Sequence, residues 1–279
     1  MGEFLSMVRK SKALHFITRS GSKATLAALA LLLPLSVFAQ SAIDGTWKTN
    51  PAASKPSNQP IVFAVVNGFY DCDTCVPKIH VKADGNDQPV TALAHVTVAV
   101  KEIDPRTIEI VVKKDAKTIS DQVRHVSEDG QTLHVKETDY VVDDPQPVLR
   151  ETTAQRVGDA MRDANATSGS WRTVKLSSSD NGLLVTYQET GNRLSMSTPT
   201  GVSWTANFDG QFYPVHGSYS ADSVSLTKLA GGAIEMTSKQ GGKIVRVDTM
   251  TISPDGRSMT TVSENKVSGR VSTWVATKQ

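Results

Sequence analysis

The chain is poor in the residues from which most reactive centres are built. Its 279 residues include two cysteines, six histidines and 6% aromatics. Only residues 24–39 form a long apolar run, and no later segment carries a convincing helical period. There is no Gly-x-Ser-x-Gly elbow, phosphate-binding loop, dinucleotide fingerprint or EF-hand loop. His80, His95, His125, His134 and His216 have no close metal-ligand spacing, so each is expected as a solvated strand residue. The acidic pairs Asp71/Asp73 and Asp143-Asp144 read as loop carboxylates. These absences argue against an enzyme, a resident cofactor and a metal centre.

A clustered charge is also missing. Arg9, Lys10, Lys12, Arg19 and Lys23 precede the apolar run Ala24–Ala39, which ends in Val37-Phe38-Ala39. That order is the pattern of a secretory signal peptide over residues 1–39, cleaved after Ala39. The run holds 16 residues and contains Pro34, short of the ~20 residues of a membrane span, so no permanent membrane anchor is expected. Residues 1–39 hold five of the 30 Lys and Arg but only Glu3 of the 28 Asp and Glu. The remainder therefore carries 25 cations against 27 anions, a net charge of −2. A weakly acidic surface without basic clusters argues against nucleic acid as a partner. A Sec-type bacterial signal implies a periplasmic or secreted protein.

What the sequence does contain is a tandem repeat. Gly45-Thr46-Trp47-Lys48 matches Gly169-Ser170-Trp171-Arg172, 124 residues on. Asp84-Gly85 and Pro89-Val90 match Asp209-Gly210 and Pro214-Val215 at 125; Ile108-Glu109 and Ser127-Glu128-Asp129-Gly130 match Ile234-Glu235 and Ser253-Pro254-Asp255-Gly256 at 126. The expected division is a first unit over 40–157, a polar linker over 158–167 and a second unit over 168–279. Within each unit the period is two, as in Ile108, Ile110 and Val112, and the runs are separated by Asp-Gly and Gly-Gly turns. The expected fold is all-β: two antiparallel up-and-down barrels of about eight strands each. Within the linker, Asp159–Ala164 has the composition of a helical turn, and Asn165-Ala166-Thr167 fits a glycosylation sequon.

Cys72 and Cys75 are the only cysteines, and the second unit has no counterpart to them. An oxidising compartment makes a local structural disulfide the first reading. A redox pair and a metal site completed by His80 are the alternatives; Asp71 and Asp73 beside the thiols disfavour the low thiol pKa that redox chemistry needs. Trp47, Trp171, Trp204 and Trp274 are candidate core residues, or the lining of an apolar cavity, since an eight-stranded barrel can hold one small ligand.

A Gly-x-Trp at the head of such a meander resembles the calycins, the lipocalins and fatty-acid-binding proteins. The resemblance implies that Trp47 and Trp171 lie on first strands and seal barrel ends beside a late-strand basic residue, with Arg156, Arg270 and Lys278 as candidates. Lys82–Val90, Ser179–Leu183 and Met196–Gly201 are similar to a widespread set of uncharacterised exported bacterial proteins, which implies export and duplication and no activity. The reading that results is a non-enzymatic envelope protein binding a small apolar ligand. An envelope protein-interaction module and a Cys72/Cys75 redox protein are the alternatives.

Overall fold

The alternating runs fold as strands, and every strand pairs antiparallel with its neighbours. In the computed structural model residues 41–91, 93–140 and 146–279 are described; the expected signal peptide and the Asp143-Asp144 pair lie outside them. The first strand, β1, spans Gly45–Thr49. The next ten are β2 (Ile61–Val66), β3 (Phe69–Cys72), β4 (Ile79–Lys82), β5 (Gln88–Pro89), β6 (Val96–Asp104), β7 (Thr107–Lys114), β8 (Lys117–Val126), β9 (Thr132–Asp139), β10 (Val148–Val157) and β11 (Gly169–Ser178). They form one sheet in the order β4-β3-β2-β11-β10-β9-β8-β7-β6-β5. Its edges approach each other because β4 and β5 are successive pieces of one segment. Asp84, between them, bridges to Lys101, and the Gly85 amide donates to the Val100 carbonyl at 2.8 Å. The sheet is thereby drawn into a barrel.

The remaining strands are β12 (Leu184–Thr190), β13 (Arg193–Ser197), β14 (Ser203–Asn207), β15 (Tyr213–His216), β16 (Ser223–Lys228), β17 (Ile234–Gln240), β18 (Lys243–Ile252), β19 (Ser258–Asn265) and β20 (Val271–Lys278). They close a second barrel, and the strand that completes it is β1, inserted between β20 and β12. Each barrel thus has ten strands where about eight are expected. The surplus lies in pieces such as β3, β4 and β5, of four, four and two residues, too short to display an alternation.

The sheets do not divide where the repeat does. The Gly-x-Trp strand of each repeat sits in the other repeat's barrel: β1 joins β12–β20, and β11 joins β2–β10. The expected unit boundaries at 157 and 168 therefore cut through the first barrel. The physical reason is that a repeat's first and last strands both need a partner, and β11 meets β10 through a short connection. That connection is also more than a linker. Thr167 and Ser168 are buried, Ser168 Oγ bonds the Val65 backbone, and Asn165 is 6% exposed. Asn165 Nδ2 donates to Glu102 Oε2 and to the Asp104 carbonyl, so a glycan has no room there in the folded protein. No helical turn forms over 159–164.

Two apolar cores result. One gathers Phe63, Tyr70, Val98, Val100, Ile108 and Trp171; the other gathers Ile43, Trp47, Leu194, Trp204, Leu226 and Met236. Burial of each large side chain contributes about 1.5–3 kcal/mol, which offsets the entropy of ordering the strands.

Turns fix the registers, and five of them share one device. Asp84, Asp104, Asp129, Asp209 and Asp255 each accept the backbone N–H two residues on, at 2.7–3.1 Å. That amide is the leading cause of the lowered carboxyl pKa at Asp84 and Asp104. At Asp129, Asp209 and Asp255 the hydroxyls of Ser127, Tyr213 and Ser253 come first and the amide second. A folded pKa held below the unfolded 3.8 contributes stability above that value and loses it as the pH falls through the folded one. The combined variant Asp129→Asn, Asp255→Asn is expected to flatten the acid limb. Urea midpoints followed from about pH 5 to about pH 2 check this; an unchanged slope would remove the turns as its source.

Candidate functional site

Each Gly-x-Trp builds the same closure. Trp47 and Trp171 are 0% and 1% exposed, and each indole N–H donates to the carbonyl four residues earlier, Ile43 at 2.7 Å and Thr167 at 2.8 Å. Strand pairing sets a basic residue directly across from each ring: Lys278 opposite Trp47 and Arg156 opposite Trp171. The Arg156 guanidinium lies 4.1 Å from the Trp171 ring centroid, and the Lys278 ammonium 5.2 Å from that of Trp47. Arg156 also donates to three carbonyls, those of Gly130, Ala166 and Ser168, at 2.6–2.8 Å. Burial lowers its pKa, yet an arginine stays charged.

The glycine makes this packing possible. Gly169 has φ +135, and a Cβ there would lie 2.6 Å from Arg156 Nη1; Gly45 has φ +116, with Lys278 Cε at 3.2 Å. Gly-x-Trp is thus a space requirement: the basic side chain passes where a side chain at Gly would stand. Both expected tryptophans therefore act as barrel-end packing. Their basic partners are Lys278 for Trp47 and Arg156 for Trp171, so Arg156 serves the tryptophan of the following repeat.

Beside its packed core the interior of the second barrel opens into a recess. A cavity of about 370 Å³ is lined by Met196, Met236, Met250 and Met259, by Tyr187 and by Trp274. Flexible thioethers adapt to ligands of varied shape, which rigid branched side chains do not. Arg246, Asp248 and Met250 alternate along β18 and so share its inner face. Arg246 Nε donates to Asp248 Oδ2 at 2.7 Å; the Asp248 side chain is 6% exposed, and Arg246 stands in solvent at the cavity's rim. Burial pushes the Tyr187 phenol up, Asp248 adds to the shift and Arg246 opposes it, so the phenol is a neutral hydrogen-bonding group at ordinary pH. The methionines, Val185 and Trp274 make most of the wall apolar, Thr261 and Ser263 add hydroxyls beside Met250 and Asp248, and the two opposite charges are paired to each other.

The other expected residues are scattered. Trp204 is buried in the second core, its ring centroid 6.3 Å from that of Tyr187. Cys72 and Cys75 are bonded to each other, with Cys72 at 1% exposure in the first core. Cys72 pairs with Ile79 on the inner face, whereas His80 pairs with Asp71 on the outer face, where His80 Nδ1 meets Asp71 Oδ1 at 2.5 Å and the ring stacks on Phe69. His80 therefore points away from the sulfurs, and the metal alternative has no geometry. All five histidines after the N-terminal segment are exposed. His125 and His134 face each other across β8 and β9 where the second barrel has Thr251 and Thr260.

Sequence reasoning missed Arg246 and Asp248, and the four methionines with them. The signal was present: in a period-two run ending at Met250, Asp248 falls on the apolar face, where a carboxylate requires an explanation. Compared with protein-family models, with curated proteins and with solved structures, the chain matches none.

Proposed function

We propose that the protein is a non-enzymatic, exported binding protein of the cell envelope, and that its second barrel holds a small, mainly apolar molecule. The observation that carries this reading is the Met-lined cavity of about 370 Å³, within the ordinary range for small-molecule sites. A neutral ligand with one hydrogen-bonding end fits it best. The apolar body meets Met236, Met250 and Met259, and the polar end meets Tyr187 or the Arg246–Asp248 pair. A net-charged ligand would have to break that pair, and a buried carboxylate left alone is costly. The calycin resemblance and the export pattern agree with a carrier or scavenger and add no further detail.

Trp274 in the cavity wall supplies the test. Titration with N-phenyl-1-naphthylamine, a neutral apolar dye, is expected to quench tryptophan emission with saturation, and Trp274→Phe is expected to remove most of that signal. No saturable quenching by the dye, together with no small molecule retained in native mass spectra, would end the reading.

A further inference from the structure

The two barrel interiors can be compared position by position. β8 and β18 correspond at an offset of 126, as do β9 and β19, because Val126 faces Leu133 in one barrel and Ile252 faces Met259 in the other. Where the second lumen has Arg246, Asp248 and Met250, the first has Ser120, Gln122 and Arg124. The cation has moved four residues along the inner face and has lost its carboxylate.

Arg124 is held by neutral groups alone. Its Nε donates to Gln122 Oε1 at 2.5 Å and its Nη1 to the Tyr70 hydroxyl at 3.1 Å. The guanidinium carbon lies 4.3 Å from the Phe63 ring centroid and 5.9 Å from that of Tyr70. Among the described residues Arg124 forms no ion pair. Glu137 faces Gln122 across the strands, yet its carboxylate takes the Ser120 hydroxyl at 3.3 Å. Beside the guanidinium is a cavity of about 200 Å³ whose apolar wall is Leu133, Val135, Ala154 and Trp171, with Glu137, Thr152 and Thr173 on its polar side. For scale, an apolar cavity of about 150 Å³ accepts benzene.

An unpaired cation in a partly dry interior is poorly compensated by ring faces and neutral oxygens. The guanidinium fork matches a carboxylate in shape and charge, and a single cation suits a single negative charge. The apolar part of the wall suits a carbon body, and the Ser120 hydroxyl already occupies the Glu137 carboxylate on the polar side. We propose that the lumen of the first barrel binds a small monocarboxylate, its carboxylate on Arg124 and its body against Trp171 and Leu133. The repeats have then diverged in ligand charge. The second barrel neutralises its own cation with Asp248, and the first leaves that role to the ligand.

Benzoate is the probe, followed by calorimetry and by ligand-observed NMR, with benzamide as its neutral counterpart. Benzoate is expected to bind saturably, and benzamide at least about tenfold more weakly, in line with the strength of charge-assisted hydrogen bonds. Arg124→Met places in the first barrel the residue found at the equivalent position of the second, and should abolish binding. Arg124→Lys retains the charge without the fork and should weaken it. Glu137→Gln removes the nearest like charge and should leave affinity equal or higher. No saturable benzoate binding, equal affinity for benzamide, or undiminished binding by a folded Arg124→Met variant would each overturn the proposal. Quenching of Trp274 by the neutral dye reports on the other barrel, so either site can fail while the other stands.

Discussion

Trp47→Ala is expected to weaken the barrel of residues 184–278 and to leave residues 61–91, its nearer neighbours in sequence, protected. The side chain is 0% exposed and packs with Ile43, Leu194 and Trp204, so its removal leaves a large cavity at one barrel end. Aromatic-to-alanine changes in cores cost about 3–5 kcal/mol, a large share of the stability of a domain. The indole also satisfies the Ile43 carbonyl, and Lys278 packs over its face; both contacts disappear with it. Trp171→Ala is the mirror experiment, with its loss confined to residues 61–178. Hydrogen exchange read peptide by peptide separates the two. If Trp47→Ala deprotects 61–91 and spares 184–278, the strand exchange described above is wrong.

Gly169→Ala is expected to be nearly as damaging, although it adds one methyl group. At φ +135 an L-residue is strained, and the new Cβ would stand 2.6 Å from Arg156 Nη1. The guanidinium cannot yield easily, since it is held by three carbonyls and lies against Trp171. Strain and the displaced charge-assisted bonds together should cost about 2–4 kcal/mol. Gly45→Ala is the milder comparison, because the atom it crowds is the flexible Lys278 Cε at 3.2 Å. Chemical denaturation of both variants, and of Gly169→Ala combined with Arg156→Ala, measures the coupling. A double variant worse than Arg156→Ala by the backbone strain alone, and so by less than the full Gly169→Ala loss, is the expected outcome, and strictly additive losses would rule out the clash.

Much of this architecture was legible because it repeats. The Asp-Gly turns and the alternation around Ile108 mark antiparallel strands, and two Gly-x-Trp starts mark two barrels. Which barrel each start joins was not legible. Gly45–Thr49 presents the same inward residues to β12 as it would to β2, since Trp47 meets Val185 in the register in which Trp171 meets Ile61. Period-two patterning specifies a strand's face and leaves its partner open. The lumen charges were missed for a related reason. Arg124 and Asp248 look like ordinary surface residues until their strands are phased against Val126 and Met250. The disulfide was legible from the spacing of the only two cysteines and the expectation of export, whereas the outward aim of His80 needed the pairing of β3 with β4.

The placement of β1 has a consequence for how the molecule is made. Synthesis delivers residues 45–49 well before residues 271–278, yet these pieces lie side by side, with Gln279 N donating to the Thr46 carbonyl at 2.9 Å. The first barrel needs only a continuous stretch ending near residue 178 and can mature while the rest is still being produced. The second must hold open a slot between β12 and β20 until β1 finds it, and the closure entropy is that of the loop running from residue 49 to residue 271. Loss of residues 45–49 or of residues 271–278 therefore injures the same barrel. A nascent chain that stalls before residue 271, or a chain clipped after residue 49, carries one finished barrel and one with two bare edges, which quality-control proteases and chaperones can recognise.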